Sequence, residues 1–300
     1  MDRDETEFLE LWPDFALSLR AEHRSPRTLQ SYREAVDQFA AWLREQGRPT
    51  KVGELTQADV EGFLDAVLTR SRPATAAARY RGLHRFFNWL VDEAELAVSP
   101  MARMRSPRVE PPPPPVLTEG ELRRLLQACE GTRFEDRRDM ALLRVLIDTG
   151  CRRGELAALR MEDVDMDYMV LHLTGSGRPS RAAPFGPATG VALNRYRRAR
   201  RRHPWVACAQ LWLGLKGPMG ASGIADAVRR RGQLAGLEGL HPHQLRHTVA
   251  HHWQLEGGNE SDLMMLLGWR SRAMLSRYGS SPEVERVRES HRRLALGDRL

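Results

Sequence analysis

The stretch Pro107-Arg108-Val109-Glu110-Pro111-Pro112-Pro113-Pro114-Pro115 divides the chain. Consecutive prolines favour a polyproline II strut at ~3.1 Å per residue, so the five-proline run spans ~15 Å and leaves little freedom to what it joins. A length of 300 residues favours two domains, because domains commonly run ~100 to 200 residues. The expected division is a first domain over residues 1–105, a proline-rich linker over residues 106–117, and a second domain over residues 118–300.

Upstream of the strut the apolar pattern is helical. Ser25-Pro26 reads as an N-cap with proline at the first helical position, and Leu29, Tyr32, Val36, Phe39 and Leu43 recur at helical spacing up to Gly47. Thr56 opens another helix with Val60, Phe63, Leu64 and Val67 on one face, and a further helix follows Pro73 with Tyr80, Leu83, Phe87 and Leu90. With residues 8–19 these predict a four-helix module whose stripes form the core and whose arginine-bearing faces point outward.

Downstream, Thr118-Glu119-Gly120-Glu121 has capping-box spacing and opens a helix carrying Leu122, Leu125 and Leu126. The period changes once. Residues 169–174, the tip Gly175-Ser176-Gly177, and residues 180–185 read as a short β-hairpin, with helix around it. The fold class is therefore mainly α, a four-helix domain followed by an α+β domain with a small β-hairpin or sheet. Arginine runs at residues 195–202 and 229–231 read as solvated helix faces.

Composition narrows the partner. Basic residues (46) exceed acidic ones (39), giving a net charge of +7 and a pI near 9.9, a balance that favours a polyanion such as nucleic acid. Lys51 and Lys216 are the only lysines among the 46, leaving 44 arginines, which fork bidentately onto phosphate oxygens. No run of eighteen apolar residues occurs and the first residues are acidic, so a cytoplasmic protein without membrane spans is expected. Cys129, Cys151 and Cys208 are far apart and odd in number, and are expected as core residues, not disulfides or zinc ligands. His243, His247 and His251 recur every four residues without an acidic or cysteine partner, so no metal is expected. The glycines of residues 214–220 lack a nucleotide-loop ending, and no cofactor is expected.

Three segments carry candidate chemistry: Thr149-Gly150-Cys151-Arg152-Arg153-Gly154-Glu155-Leu156 at a helix junction, His243-Gln244-Leu245-Arg246 after Pro242, and Leu266-Leu267-Gly268-Trp269 followed by Tyr278 nine residues later. In that order they resemble the tyrosine recombinase (phage-type integrase) family, closest to its two-domain Xer-like members, over residues 6–295. The resemblance implies a DNA clamp of a core-binding domain and a catalytic domain. It implies strand cleavage and rejoining at a specific site in double-stranded DNA through a 3′-phosphotyrosyl intermediate and a Holliday junction. The expected assembly is a homotetramer on two DNA sites, or a heterotetramer with a second recombinase, in the nucleoid.

The same resemblance assigns roles. Tyr278 would be the nucleophile, Arg152 and Arg246 would hold the non-bridging phosphate oxygens, His243 would exchange protons, and Trp269 would pack and donate one hydrogen bond. Glu155 is expected to orient neighbouring guanidiniums. One departure stands out: Ser176 occupies the hairpin-tip position where the family places a lysine that protonates the leaving 5′-oxygen. Arg178 and Ser176 are the expected partial replacements for it, and Arg178 and Arg181 are expected on DNA. Two alternatives stay open: a DNA-binding accessory protein weakened in catalysis, and a type IB-like topoisomerase using the same tyrosine chemistry.

Overall fold

The computed structural model describes residues 6–107, 114–175, 178–269 and 271. The chain forms two compact units, residues 1–112 and 113–300, divided within the proline run.

In the first unit a 3-10 turn, Phe8–Leu11, leads into α1 (Trp12–Ala21), α2 (Pro26–Glu45), α3 (Gln57–Arg70) and α4 (Pro73–Asp92). Local chemistry sets the starts. Ser25 Oγ accepts from the Thr28 amide at 3.2 Å just before Pro26, and Thr56 and Asp59 cap each other reciprocally at 3.3 and 2.9 Å. The inward stripes build an aromatic core in which Phe8, Phe15, Phe39, Phe86 and Phe87 are fully buried, with Phe15 edge-on to Phe86 at 5.2 Å between centroids. Each such ring stabilises the unit by ~1.5–3 kcal/mol relative to exposure.

The second unit begins with α5 (Glu119–Gln127), started by the reciprocal Thr118–Glu121 box at 3.3 and 2.8 Å. Then come α6 (Phe134–Thr149), α7 (Arg153–Ala158), β1 (Val164–Asp165), β2 (Val170–Gly175), β3 (Arg178–Pro184) and α8 (Pro187–Arg200). The order ends with β4 (Leu213–Gly214), β5 (Gly217–Pro218), α9 (Ala221–Leu234), α10 (Pro242–Leu255) and α11 (Glu260–Leu267). Helix α6 is central, packing against α8, α9 and α10 through Ala141, Leu142, Leu143, Val145 and Leu146, all fully buried.

The expected hairpin is part of a small sheet, with short strands that the sequence did not reveal. β1 adds an antiparallel strand to β2 and β3, and β4 pairs with β5 in a second small hairpin. Two-residue strands are too short to show a period in sequence. The arginine runs are also not uniformly solvated. Arg200 is buried and donates to the carbonyls of Val206, Cys208, Gln210 and Leu211, organising a loop that has no ladder of its own. Arg231 is buried against Asp136 and Asp139 and the carbonyl of Ala128. A forked guanidinium serves several acceptors at once, which a lysine could not do.

Cys129 and Cys151 lie in the core, Cys208 is half-buried, and all three are free thiols. Among the described residues no helix is long and apolar enough to cross a membrane. Leu117 is fastened to α10 by both backbone groups, its amide donating to Thr248 Oγ1 at 3.0 Å and its carbonyl 2.9 Å from His252 Nε2.

Candidate active site

Helix α6 stops at Gly150, whose φ of +55° belongs to the left-handed region that glycine enters without steric cost. The chain turns at once into α7, and Arg152 caps that helix through Glu155. The Arg152 amide donates to Glu155 Oε2 at 2.8 Å and its Nη1 donates to Oε1 at 2.8 Å. Arg181 completes the group from β3, with Nη1 donating to Oε1 at 2.9 Å and Nη2 to Oε2 at 2.8 Å. Four N–H donors therefore converge on one buried carboxylate. Burial alone would raise its pKa, but the bonds and charge of Arg181, together with the amide and side chain of Arg152, outweigh burial and hold it at about 2. Glu155 thus orients its neighbouring guanidiniums, as its place in the motif predicts.

Arg181, expected on DNA, has its guanidinium engaged within the protein. Leu171 faces Ala183 and Leu173 faces Arg181 across the β2–β3 ladder, and directly opposed residues share a face of the sheet. Leu171, Leu173 and Ala183 are fully buried, so register sends Arg181 inward. Its side chain is 14% exposed, and Nε, Nη1 and Nη2 are all engaged within the protein. The signal was in the sequence: Arg181 has the same parity as Ala183 and Phe185 in a period of two.

Three guanidiniums then meet the end of α11. Arg181 Nε donates to the carbonyl of Leu266 at 2.9 Å, Arg246 Nη2 to that of Leu267 at 2.6 Å, and Arg152 Nη2 to that of Gly268 at 3.2 Å. The last carbonyls of a helix lack intrahelical donors and carry the negative end of its dipole, so cations are favoured there. Gly268 ends the helix at φ +61°, and the Trp269 amide returns to the carbonyl of Met264 at 2.9 Å. Trp269 is buried against Ala250, Leu263 and Leu267, and the Arg246 guanidinium lies 5.5 Å from its ring centroid. Arg246, only 2% exposed, also donates from Nη1 to the carbonyl of Gly150 at 2.7 Å, so it ties the ends of α6 and α11 together.

His243 is exposed on the first turn of α10, one turn before Arg246, with its ring 4.2 Å edge-on from that of His247. His241 caps this helix, its Nδ1 accepting from the Gln244 amide at 3.1 Å, and Pro242 takes the first helical position. Arg152, Arg246 and Trp269 are therefore brought together from three segments, with His243 beside them. Arg178 opens β3 opposite Gly175. Ser176 and Tyr278 lie outside the described residues. The sequence reading did not assign Gly150 or the α11 carbonyls; a glycine ending each apolar helical run was the available signal.

Such a set of cations suits an oxyanion bearing two or more negative oxygens. Thiol chemistry does not belong here, since burial pushes the adjacent Cys151 thiol up to about 11. Among the described residues no group of three or more His, Cys, Asp or Glu side chains is placed to hold a metal ion.

Comparison with known proteins shows the family. The phage integrase family pattern matches residues 115–283, and the phage integrase N-terminal SAM-like domain matches residues 11–95. The chain belongs to the phage integrase family. This integrase-family chain is 31% identical over 276 residues to the tyrosine recombinase XerC of Corynebacterium efficiens, covering 90% of this chain and 87% of that relative. It is 30% identical over 272 residues to the XerC of Oceanobacillus iheyensis, covering 88% and 89%. The solved XerH site-specific recombinase bound to palindromic difH substrate, in a post-cleavage complex, shares the fold at a TM-score of 0.74 and 17% identity, over 90% of this chain and 81% of that one. Members of the tyrosine recombinase family cleave and rejoin DNA strands, and the chain is an enzyme of that class.

Proposed function

We propose that this tyrosine recombinase acts at a defined duplex DNA site, with residues 1–105 as the core-binding half of a clamp and residues 118–300 as the catalytic half. Tyr278 Oη attacks the scissile phosphorus. A 3′-phosphotyrosyl bond forms, the bond to the 5′-oxygen breaks, and that oxygen leaves as a hydroxyl after taking a proton from water. Arg152 and Arg246 stabilise the charge that grows on the non-bridging oxygens, His243 moves the proton between tyrosine and phosphate, and Trp269 packs beneath Arg246 and donates one hydrogen bond. In place of the family's lysine, Arg178, with Ser176 at the hairpin tip, stabilises the leaving oxygen in part. Four protomers on two DNA sites, alike or shared with a second recombinase, pass through a Holliday junction without metal or nucleotide, in the cytoplasm at the nucleoid.

One observation supports this reading above the others: Arg152, Arg246 and Trp269 converge on one helix end from three separate segments. Incubation with supercoiled plasmid carrying the native site tests it. A covalent protein–DNA adduct forms with the parent and is absent with Tyr278→Phe, which still shifts DNA in a gel. An adduct that survives Tyr278→Phe overturns the assignment. Relaxation of plasmid at any sequence favours a topoisomerase instead.

A further inference from the structure

The scheme above gives Arg181 no part, yet its guanidinium makes three bonds to the site, two to Glu155 and one to the Leu266 carbonyl. We infer that Arg181 is a positioning residue that sets the plane of the Arg152 guanidinium through Glu155 and fixes the point where the chain leaves α11 towards Tyr278. The inference rests on the reading of Arg152 as a phosphate ligand.

Geometry carries it in two directions. Glu155 Oε1 is shared by Arg152 Nη1 and Arg181 Nη1, at 2.8 and 2.9 Å, so the fork of Arg181 determines where that oxygen stands for Arg152. A carboxylate has about four acceptor positions, and those of Glu155 are taken by two donors from each arginine. Without Arg181, Glu155 keeps one donor per oxygen and can rotate about its last torsion, carrying Arg152 with it. In the other direction, Arg181 Nε grips the Leu266 carbonyl, next in line to the two carbonyls that Arg246 and Arg152 hold. One side chain therefore references both the phosphate ligand and the exit of the nucleophile segment. A lysine at this place presents a single point charge and cannot span Glu155 and Leu266 together.

The test is single-turnover cleavage of a suicide duplex by Arg181→Ala and Arg181→Lys, measured over a range of protein concentration and pH. The maximal rate is expected to fall about 100-fold, as for a misplacement of about 1 Å, while the half-saturating concentration changes by less than about twofold. A second signature separates positioning from mere support of the fold. Relieved of two donors, Glu155 protonates at higher pH, so the acid-side loss of rate in the variants is expected to begin at higher pH than in the parent. The double variant Arg181→Ala with Glu155→Gln is expected to be no slower than the slower single variant. Should Arg181→Ala fail to fold, Arg181→Lys, which keeps charge and most of the volume, carries the comparison per folded molecule. Parental rate and pH profile in Arg181→Lys overturn the inference, provided Arg152→Ala has lost cleavage. If Arg152→Ala cleaves like the parent, it is the underlying reading of the site that falls.

Discussion

Gly150 sits directly under Leu267: a Cβ placed on Gly150 would stand 2.5 Å from Leu267 Cδ2 and 3.5 Å from the Val249 side chain. The end of α6, the middle of α10 and the end of α11 thus meet at a point where no side chain fits. Arg246 crosses the same point, bonded to the carbonyls of both Gly150 and Leu267. Gly150→Ala meets both the clash and the positive φ. It is expected to cost about 2–4 kcal/mol, read as a shift of the urea midpoint by circular dichroism, and to slow cleavage.

Asp139 is buried and accepts from Arg138 Nε at 2.9 Å, Arg231 Nε at 2.8 Å and Arg230 Nη2 at 3.0 Å. Asp139→Ala leaves two buried guanidiniums short of their counter-charge and should destabilise the protein by about 3–5 kcal/mol. The exposed Glu119–Arg123 pair provides the contrast, and Glu119→Ala should cost under about 1 kcal/mol in the same assay.

The Glu155 carboxyl gives a pH dependence of known sign. Its folded pKa of about 2 lies below the ordinary 4.5, so its contribution to stability is fully present above about pH 4.5 and is lost as pH falls towards 2. The loss is on the order of 3 kcal/mol. Urea unfolding at about pH 7 and about pH 3 should show a clearly smaller drop for Glu155→Gln than for the parent; equal drops would contradict the assignment.

Trp269 combines packing with a ring face for Arg246. Trp269→Ala is expected to lose about 3–5 kcal/mol of stability along with cleavage. Trp269→His, which keeps an aromatic donor, should recover more cleavage than Ala when rates are compared per folded molecule.

The hairpin tip provides a gain-of-function test. Ser176→Lys places a proton donor at the hairpin-tip position where the family resemblance implies a lysine and should speed suicide-substrate cleavage by about 10-fold or more. Arg178→Ala should slow it, and parental rates in Arg178→Ala would remove Arg178 from the scheme.

Most of the fold was legible because it is written locally. Ser25, Thr56 and Thr118 each mark a helix start with a side chain that the structure shows capping it. The β2–β3 hairpin was readable from its alternation and its glycine tip. β1, β4 and β5 were not, because two residues make no period. For the site, the Arg152, His243, Arg246 and Trp269 motifs could be found in order along the chain. What escaped was direction. Arg181 and Arg200 look like their solvated neighbours until register and loop geometry turn them inward. Backbone acceptors such as the carbonyl of Leu267 have no sequence signature at all.

The three arginine bonds at the end of α11 also set an order of events in synthesis. Arg152 and Arg181 wait 116 and 85 residues for the carbonyls of Gly268 and Leu266, while Arg246 waits 21 for that of Leu267. A growing chain folds its earlier parts first, so these three bonds form only after the ribosome has delivered Leu266, Leu267 and Gly268, while the bonds of Arg152 and Arg181 to Glu155 need only earlier residues. A polypeptide released before that helix end would keep the Arg152–Glu155–Arg181 cluster and lack the three carbonyls that tie it and Arg246 to α11.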